Sequence, residues 1–279
     1  CLVTGATNGI GKVTALELAR RGATVVLAGR SAAKTDAVVA EIKARSGNDH
    51  VEGLVADLST QAGVRALADA FKARYDRLDV LVNNAGAIFN ERRESADGIE
   101  MTFALNHLSY FLLTHLLLDV LKASAPARIV NVSSNAHMGS GINFDDLEFK
   151  RGYMNFRAYA QSKLANILFT TELARRLQGT GVTANALHPG FVSSGFGRND
   201  GSLMNIGMML MRPFQISPEK GAETTLYLAT SPEVEGVTGG YFSKRKPART
   251  SSAARDQAAA ERLWAISEQM TGVRAVEFA

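Results

Sequence analysis

Thr4-Gly5-Ala6-Thr7-Asn8-Gly9-Ile10-Gly11 follows the apolar run Cys1-Leu2-Val3 and precedes a helical pattern carried by Val13, Leu16, Leu18 and Ala19. A short strand, a glycine-rich turn and a helix make a cradle for phosphate. The helix N-terminus presents free N–H groups and the positive end of its dipole to an anion. Each glycine has a reason. Gly5 permits the tight turn, Gly9 lets the backbone approach a pyrophosphate, and Gly11 lets the helix pack close to the strand. The spacing is G-x-x-x-G-x-G and departs from the common G-x-G-x-x-G fingerprint. On its own such a turn is as readily structural as ligand-binding, so the units beyond it decide.

Outward from this turn the chain alternates. Short apolar strands are expected at Ala23 to Ala28, Val51 to Ala56, Asp79 to Val82, Ala127 to Val132 and Val182 to Leu187, with a last one near Gly239 to Phe242. Between and after them, helices are expected at Ser31 to Arg45, Thr60 to Tyr75, Ile99 to Lys122, Tyr159 to Leu177, Glu219 to Ala229 and Ser251 to Met270. This alternation predicts crossover units and an α/β fold, a doubly wound parallel sheet in one domain over residues 1–279, ending in a C-terminal helix. Ligands of such sheets bind beyond the carboxyl ends of the strands. Gly5, Arg30, Asp57 and Asn83 stand at four successive strand ends. The Gly- and Met-rich stretch 191–218 reads as a substrate lid or as a core-packing helix; methionine suits a lid because it adapts to varied apolar ligands.

Composition narrows the classes of function. The chain has 279 residues, 46% apolar and 21% charged, with a net charge of +4. The basic excess is scattered, apart from Lys244-Arg245-Lys246, and no base-reading motif accompanies it, so no nucleic-acid partner is expected. The richest apolar stretch, Phe103 to Val120, is broken by Asn106, His107, His115 and Asp119, and predicts a buried helix rather than a membrane span. The single cysteine, Cys1, rules out an internal disulfide and suits a reducing, cytoplasmic compartment. The five histidines lack paired ligand spacing, so no metal is expected. The chain opens at Cys1 inside an apolar run. A natural N-terminus is therefore expected upstream, where a membrane anchor would lie out of view.

Two local patterns carry chemistry. Tyr159 and Lys163 are four apart on a helix and so share a face. An ammonium near a phenol favours the phenolate, which makes the pair a general acid/base device. About 20 residues beyond the glycines, where an acid would hold the ribose hydroxyl of NAD, the chain has Gly29-Arg30-Ser31. A guanidinium in place of a carboxylate favours a 2′-phosphate and hence NADP(H) as cofactor. Asn106, in an apolar helix, would be destabilising unless its amide is bonded.

Thr4 to Gly11, Asp57, Asn83-Asn84-Ala85-Gly86, Asn106, Ser134, Tyr159-x-x-x-Lys163 and Pro189-Gly190 together resemble the short-chain dehydrogenase/reductases. The likeness runs through nearly the whole chain. The long Ser134-to-Tyr159 interval, Ser162 to Phe169, Ser231 to Gly236 and Ala260-x-Arg262-Leu263-Trp264 resemble the retinol dehydrogenase branch, with its relative the WW-domain oxidoreductase. The resemblance implies a Rossmann fold and hydride exchange between a nicotinamide and an apolar carbonyl or alcohol. It makes Tyr159 the general acid or base, Lys163 the group that lowers its pKa and holds the nicotinamide ribose, Ser134 the polariser of the substrate oxygen, and Asn106 the holder of a water in a proton relay. Cofactor contacts are implied at Gly5, Thr7, Asn8, Gly9, Ile10, Gly11, Arg30, Ser31, Asp57, Leu58, Asn83, Ala85, Gly86, Pro189, Gly190, Val192 and Ser194. Asp57 is expected at the adenine, and Asn83 by its backbone at the adenosine ribose. Lys12 is not counted among them. Family habit suggests a homo-oligomer, which an extended terminal helix can block. An NAD(H)-preferring enzyme and a non-catalytic dinucleotide-binding scaffold are the rival readings.

Overall fold

The computed structural model describes residues 1–192 and 215–273. The lid expected at 191–218 therefore falls almost wholly outside the described residues, and Ser194 with it.

One eight-stranded sheet runs through the molecule in the order β3-β2-β1-β4-β5-β6-β7-β8. Its strands are β1 (Leu2–Thr4), β2 (Val25–Gly29), β3 (Val51–Val55), β4 (Val80–Asn83), β5 (Ala127–Val132), β6 (Val182–His188), β7 (Tyr241–Ser243) and β8 (Lys246–Pro247). β1 to β7 pair in parallel; β8 returns antiparallel onto β7 through a turn in which Lys244 and Arg245 take positive φ. The last strand was expected, but not its two-residue return.

The helices are α1 (Gly9–Arg20), α2 (Ala32–Ser46), α3 (Gln61–Lys72), α4 (Met101–Phe103), α5 (Ser109–Leu116), α6 (Leu118–Ala123), α7 (Asn155–Arg176), α8 (Pro218–Thr230) and α9 (Gln257–Thr271). The central strands are buried on both sides, and their alternate residues sort to two cores. Leu2, Val26, Leu81 and Ile129 join Phe71, Phe111 and Trp264 on one face, while Val3, Leu27, Val82 and Val130 join Leu16, Ala222 and Leu226 on the other. Period-2 side chains of a doubly covered sheet produce this division.

Three expected boundaries differ. The helix expected at Ile99 to Lys122 is broken: a π-helical turn, Ala104–Leu108, follows α4, and Leu117 separates α5 from α6. Asn106 explains the first break, as described below. Tyr159 does not open its helix, because α7 begins at Asn155, a turn earlier. The terminal helix starts at Gln257, where Asp256 caps it by accepting from the Ala259 N–H at 3.0 Å, and not at Ser251.

α9 lies over α5 and α7. Trp264 meets Phe111 edge-on at 5.0 Å and the His115 ring at 4.9 Å, and His107 Nε2 pairs with Ser267 Oγ at 2.9 Å. Burial pushes both histidines down to about 4, so they are neutral in the fold. The unfolded chain takes up these protons near pH 6.5. Stability is therefore level above that pH and falls as pH drops from about 6.5 toward 4, by on the order of 3 kcal/mol per histidine. Thermal melts from pH 7.5 to 4.5 should show a steep loss below 6.5, and His107→Gln should flatten it; equal midpoints across the range would contradict this.

Candidate active site

The glycine turn is set by close approach. Gly5 has φ +63, and a Cβ there would lie 2.8 Å from the Ala85 Cα. A Cβ on Gly11 would lie 2.5 Å from both Asn84 Nδ2 and the Gly5 oxygen. Asn84 locks this crossing: its backbone N–H donates to Thr4 Oγ1 at 2.9 Å and its amide to the Thr4 oxygen at 2.8 Å. The turn at Gly5 and the tail of β4 at Asn84-Ala85-Gly86 thus form one rigid piece.

The N-terminus of α1 fits an anion. Asn8 stands at its cap with no side-chain cap bond, and no acid lies in its first turn. The amide groups there remain available to a phosphate. The loop after β6 arrives beside it. Val192 bridges to Ile216, and a Cβ on Gly221 would lie 2.6 Å from Val192 and 3.2 Å from Ile10. Gly190, at φ +98, leaves room for Ile216.

Arg30 and Ser31 are exposed at the end of β2, and Ser31 caps α2 without using its hydroxyl. Among the described residues no carboxylate pairs with Arg30. Lys12 pairs with Glu41. Thr7 packs under Gly29. Asp57 is exposed at the end of β3, with one oxygen accepting from the Ser59 N–H and hydroxyl at 3.0 and 2.7 Å. Leu58 is buried in the core, and the Asn83 amide donates to Asn131 and Thr114 there. The side chains of these two residues are thus committed to the core.

The end of β5 and the middle of α7 carry the reactive groups. Ser133 and Ser134 part here. Ser133 donates to the Lys163 carbonyl at 2.6 Å inside the core, whereas Ser134 hydrogen-bonds with Tyr159. Lys163 is buried; its Nζ donates to the Val132 oxygen at 3.0 Å and stands 5.6 Å from the centre of the Tyr159 ring. Burial pushes the Tyr159 phenol up to about 12, partly offset by Ser134, and pushes Lys163 down to about 7. The expected lowering of the tyrosine by the lysine is not seen in this structure. Desolvation disfavours both charged forms and outweighs their mutual attraction.

Asn106 is fully buried, and its amide bridges Ala87: Oδ1 accepts from the Ala87 N–H and Nδ2 donates to the Ala87 oxygen, both at 2.9 Å. Nδ2 also donates to Ser162 Oγ at 3.0 Å. The π-turn carries this amide sideways onto the loop after β4. The destabilisation expected of a buried Asn is thus met by backbone and serine partners.

The sequence reading passed over Tyr110, one turn beyond Asn106. It is buried, Lys163 Nζ lies 5.8 Å from its ring centre, and its hydroxyl has no hydrogen-bond partner among the described residues. Nothing short of the fold marks it, since a phenol in an apolar helix reads as core. Removing an unsatisfied buried hydroxyl spares its desolvation penalty, about 1–3 kcal/mol. Tyr110→Phe should therefore raise the melting midpoint by a few degrees; a lowered midpoint would show that the hydroxyl is bonded.

A cavity of about 760 Å³ lies between the loop after β5 and the start of α7, lined by apolar Ile142, Phe149 and Phe156 and by polar Asn135, Asp146 and Arg157 among others. Met138, Met154 and Phe156 are exposed on segments that line or flank it. The described residues hold no cluster of His, Cys, Asp or Glu suited to a metal, and no helix long and apolar enough to cross a membrane.

Known proteins match this arrangement. The chain is 47% identical over 273 residues to retinol dehydrogenase 12 of Mus musculus, covering 98% of this chain and 86% of that protein. It is 45% identical over 284 residues to retinol dehydrogenase 13 of Homo sapiens, with 98% and 85% covered. Among solved structures, an uncharacterized protein from Mycobacterium paratuberculosis superposes with a TM-score of 0.78 at 36% identity over 100% of this chain and 94% of its own. The active-site complex of Pseudomonas aeruginosa RhlG with NADP superposes with a TM-score of 0.69 at 30% identity, covering 86% and 92%. The family model for short chain dehydrogenases matches residues 1–203. The sheet with its glycine turn, the Ser134–Tyr159–Lys163 cluster and these likenesses have one explanation: the chain belongs to the short-chain dehydrogenase family of oxidoreductases.

Proposed function

We propose that the protein is an NADP(H)-dependent oxidoreductase that interconverts an apolar carbonyl, retinal-like or aliphatic, and its alcohol. The observation that carries this reading is the pairing of Ser134 with Tyr159 beside the buried Lys163, at the carboxyl end of the sheet, where the glycine turn also lies. The cofactor, when bound, supplies or accepts the hydride. The residues that would hold it are the α1 N-terminus from Thr7 to Gly11, Arg30 and Ser31 at the 2′-phosphate, Asp57 at the adenine, the backbone of Leu58, Asn83 and Ala85-Gly86, Lys163 at the ribose, and Pro189, Gly190, Val192 and Ser194. The turn that Gly5 and Gly11 hold tight against the end of β4, the uncapped α1 terminus and the exposed Arg30 all fit such a group.

Tyr159 donates its proton to the carbonyl oxygen. A phenol pushed up to about 12 is protonated at neutral pH, the form that a donor needs. Ser134 hydrogen-bonds the same oxygen, and two donors fixed in advance there stabilise the charge that develops in the transition state. Lys163, brought down to about 7, exchanges protons readily at physiological pH and resupplies the phenol; a water near Asn106 completes the path to solvent. The apolar class of substrate rests on the likeness to the retinol dehydrogenases, with the exposed Met138, Met154 and Phe156 as apolar surface near the start of α7.

We read the chain as one oxidoreductase domain over 1–279, cytoplasmic by its cysteine usage, with a homo-oligomer as the family habit. The test is NADPH oxidation against a carbonyl panel that includes retinal and medium-chain aldehydes. Turnover with at least one apolar member supports the reading. Tight NADPH binding without turnover on any would favour a dinucleotide-binding scaffold.

A further inference from the structure

β5 ends at Val132, and the last ladder bond on this side is from the Ser133 N–H to the Leu187 oxygen at 2.8 Å. Ser134 lies just past the sheet, so the sheet does not fix its orientation. Side chains do. The Ser134 carbonyl accepts from the His137 backbone N–H at 3.2 Å and meets the His137 ring Nδ1 at 2.7 Å. On the far side of the ring, the Ser251 N–H donates to His137 Nε2 at 3.4 Å. A backbone N–H can only donate and a carbonyl can only accept. The imidazole proton is therefore on Nδ1, and the ring links Ser134 to the segment that precedes α9. His137 is fully buried, with Tyr241 edge-on to it at 5.0 Å. The next residue is held as well: the Asn135 N–H donates to His188 Nδ1 at 3.3 Å and the Tyr241 hydroxyl donates to Asn135 Oδ1 at 2.9 Å. The Ser134-Asn135 pair is thus clamped from its own loop, from β6, from β7 and from the C-terminal segment.

We propose that His137 is a positioning residue for the reaction: held as its Nδ1–H tautomer by Ser251, it fixes the Ser134 backbone and so aims the Ser134 hydroxyl at the reacting oxygen. This rests on the reading of Ser134 given above. A serine displaced by an ångström would still let the cofactor bind but would meet the transition state poorly, a loss of about 10²-fold in the worst case.

Two near-isosteres separate the two bonds of the ring. Asn places its amide nitrogen where Nδ1 sits and keeps the donor to Ser134; Gln places its amide oxygen near Nε2 and keeps only the acceptor for Ser251. In the full chain, with NADPH and the best aldehyde or retinal of the panel, His137→Gln should lower kcat about 10- to 100-fold with the KM for NADPH little changed. His137→Asn should recover most of that kcat, although both variants lower the melting midpoint. Equal kcat losses that follow the melting midpoints would reduce His137 to a structural residue and overturn the proposal. Ser134→Ala separates the two levels: if it keeps full turnover, the role given to Ser134 fails and this proposal with it, whereas an inactive Ser134→Ala beside a fully active His137→Gln overturns this proposal alone. Long-range nitrogen NMR of histidine-labelled protein gives a readout without turnover. It should show His137 protonated at Nδ1, and the opposite tautomer would overturn the assignment.

Discussion

Tyr159→Phe should lower turnover on the order of a thousandfold or more while leaving NADPH affinity within a fewfold. The ring stays and the hydroxyl goes, so packing against the rest of α7 and the distance to Lys163 should change little. What is lost is the single proton donor for the substrate oxygen and one of two hydrogen bonds that grow in the transition state. The phenol is half-buried, and burial already disfavours its ionised form. The melting midpoint should therefore move little. Single-turnover rates with saturating NADPH, beside fluorescence titration of the cofactor, measure both halves of the expectation. Turnover within tenfold of the parent would refute the role given to this hydroxyl.

Arg30→Asp should reverse the cofactor preference. Arg30 is exposed at the end of β2, next to a serine whose hydroxyl is not spent on capping α2. Losing a charge-assisted hydrogen bond removes about 1.5–3 kcal/mol, or about 10- to 150-fold in kcat/KM for NADPH. A carboxylate there also repels a 2′-phosphate and can accept from a 2′-hydroxyl. The ratio of kcat/KM for NADPH over NADH should fall by at least about 100-fold, with most of the change in KM. A ratio that does not move would place the 2′-position elsewhere and favour the NAD(H) reading.

The glycine turn was legible because its constraint is local. Only glycine tolerates φ +63 with an Ala85 Cα at 2.8 Å from the missing Cβ, and the chain announces this with three glycines. The parallel strands were legible as short, mainly apolar runs between helical patterns. Ser134 was separated from Ser133 by resemblance alone; the fold adds the physical reason, since the Ser133 hydroxyl is bonded to the Lys163 carbonyl. The π-turn at Asn106 was not legible, because its partner is the backbone of Ala87, 19 positions earlier. Nor was the clamp on Ser134, whose members His188, Tyr241 and Ser251 are brought in from β6, β7 and the approach to α9. The direction of the Tyr159 and Lys163 shifts was not legible for a related reason. Spacing reveals that two groups are neighbours, whereas burial, which sets the sign of both shifts here, is a property of everything packed around them.

The account turns on where the phenol oxygen lies when substrate is bound. A crystal structure of the protein with NADP and a carbonyl inhibitor measures this directly. We expect the Tyr159 and Ser134 hydroxyls both within hydrogen-bond distance, about 2.6–3.2 Å, of the inhibitor's carbonyl oxygen. An inhibitor seated against the nicotinamide with its oxygen held by other groups and Tyr159 out of reach would contradict the account.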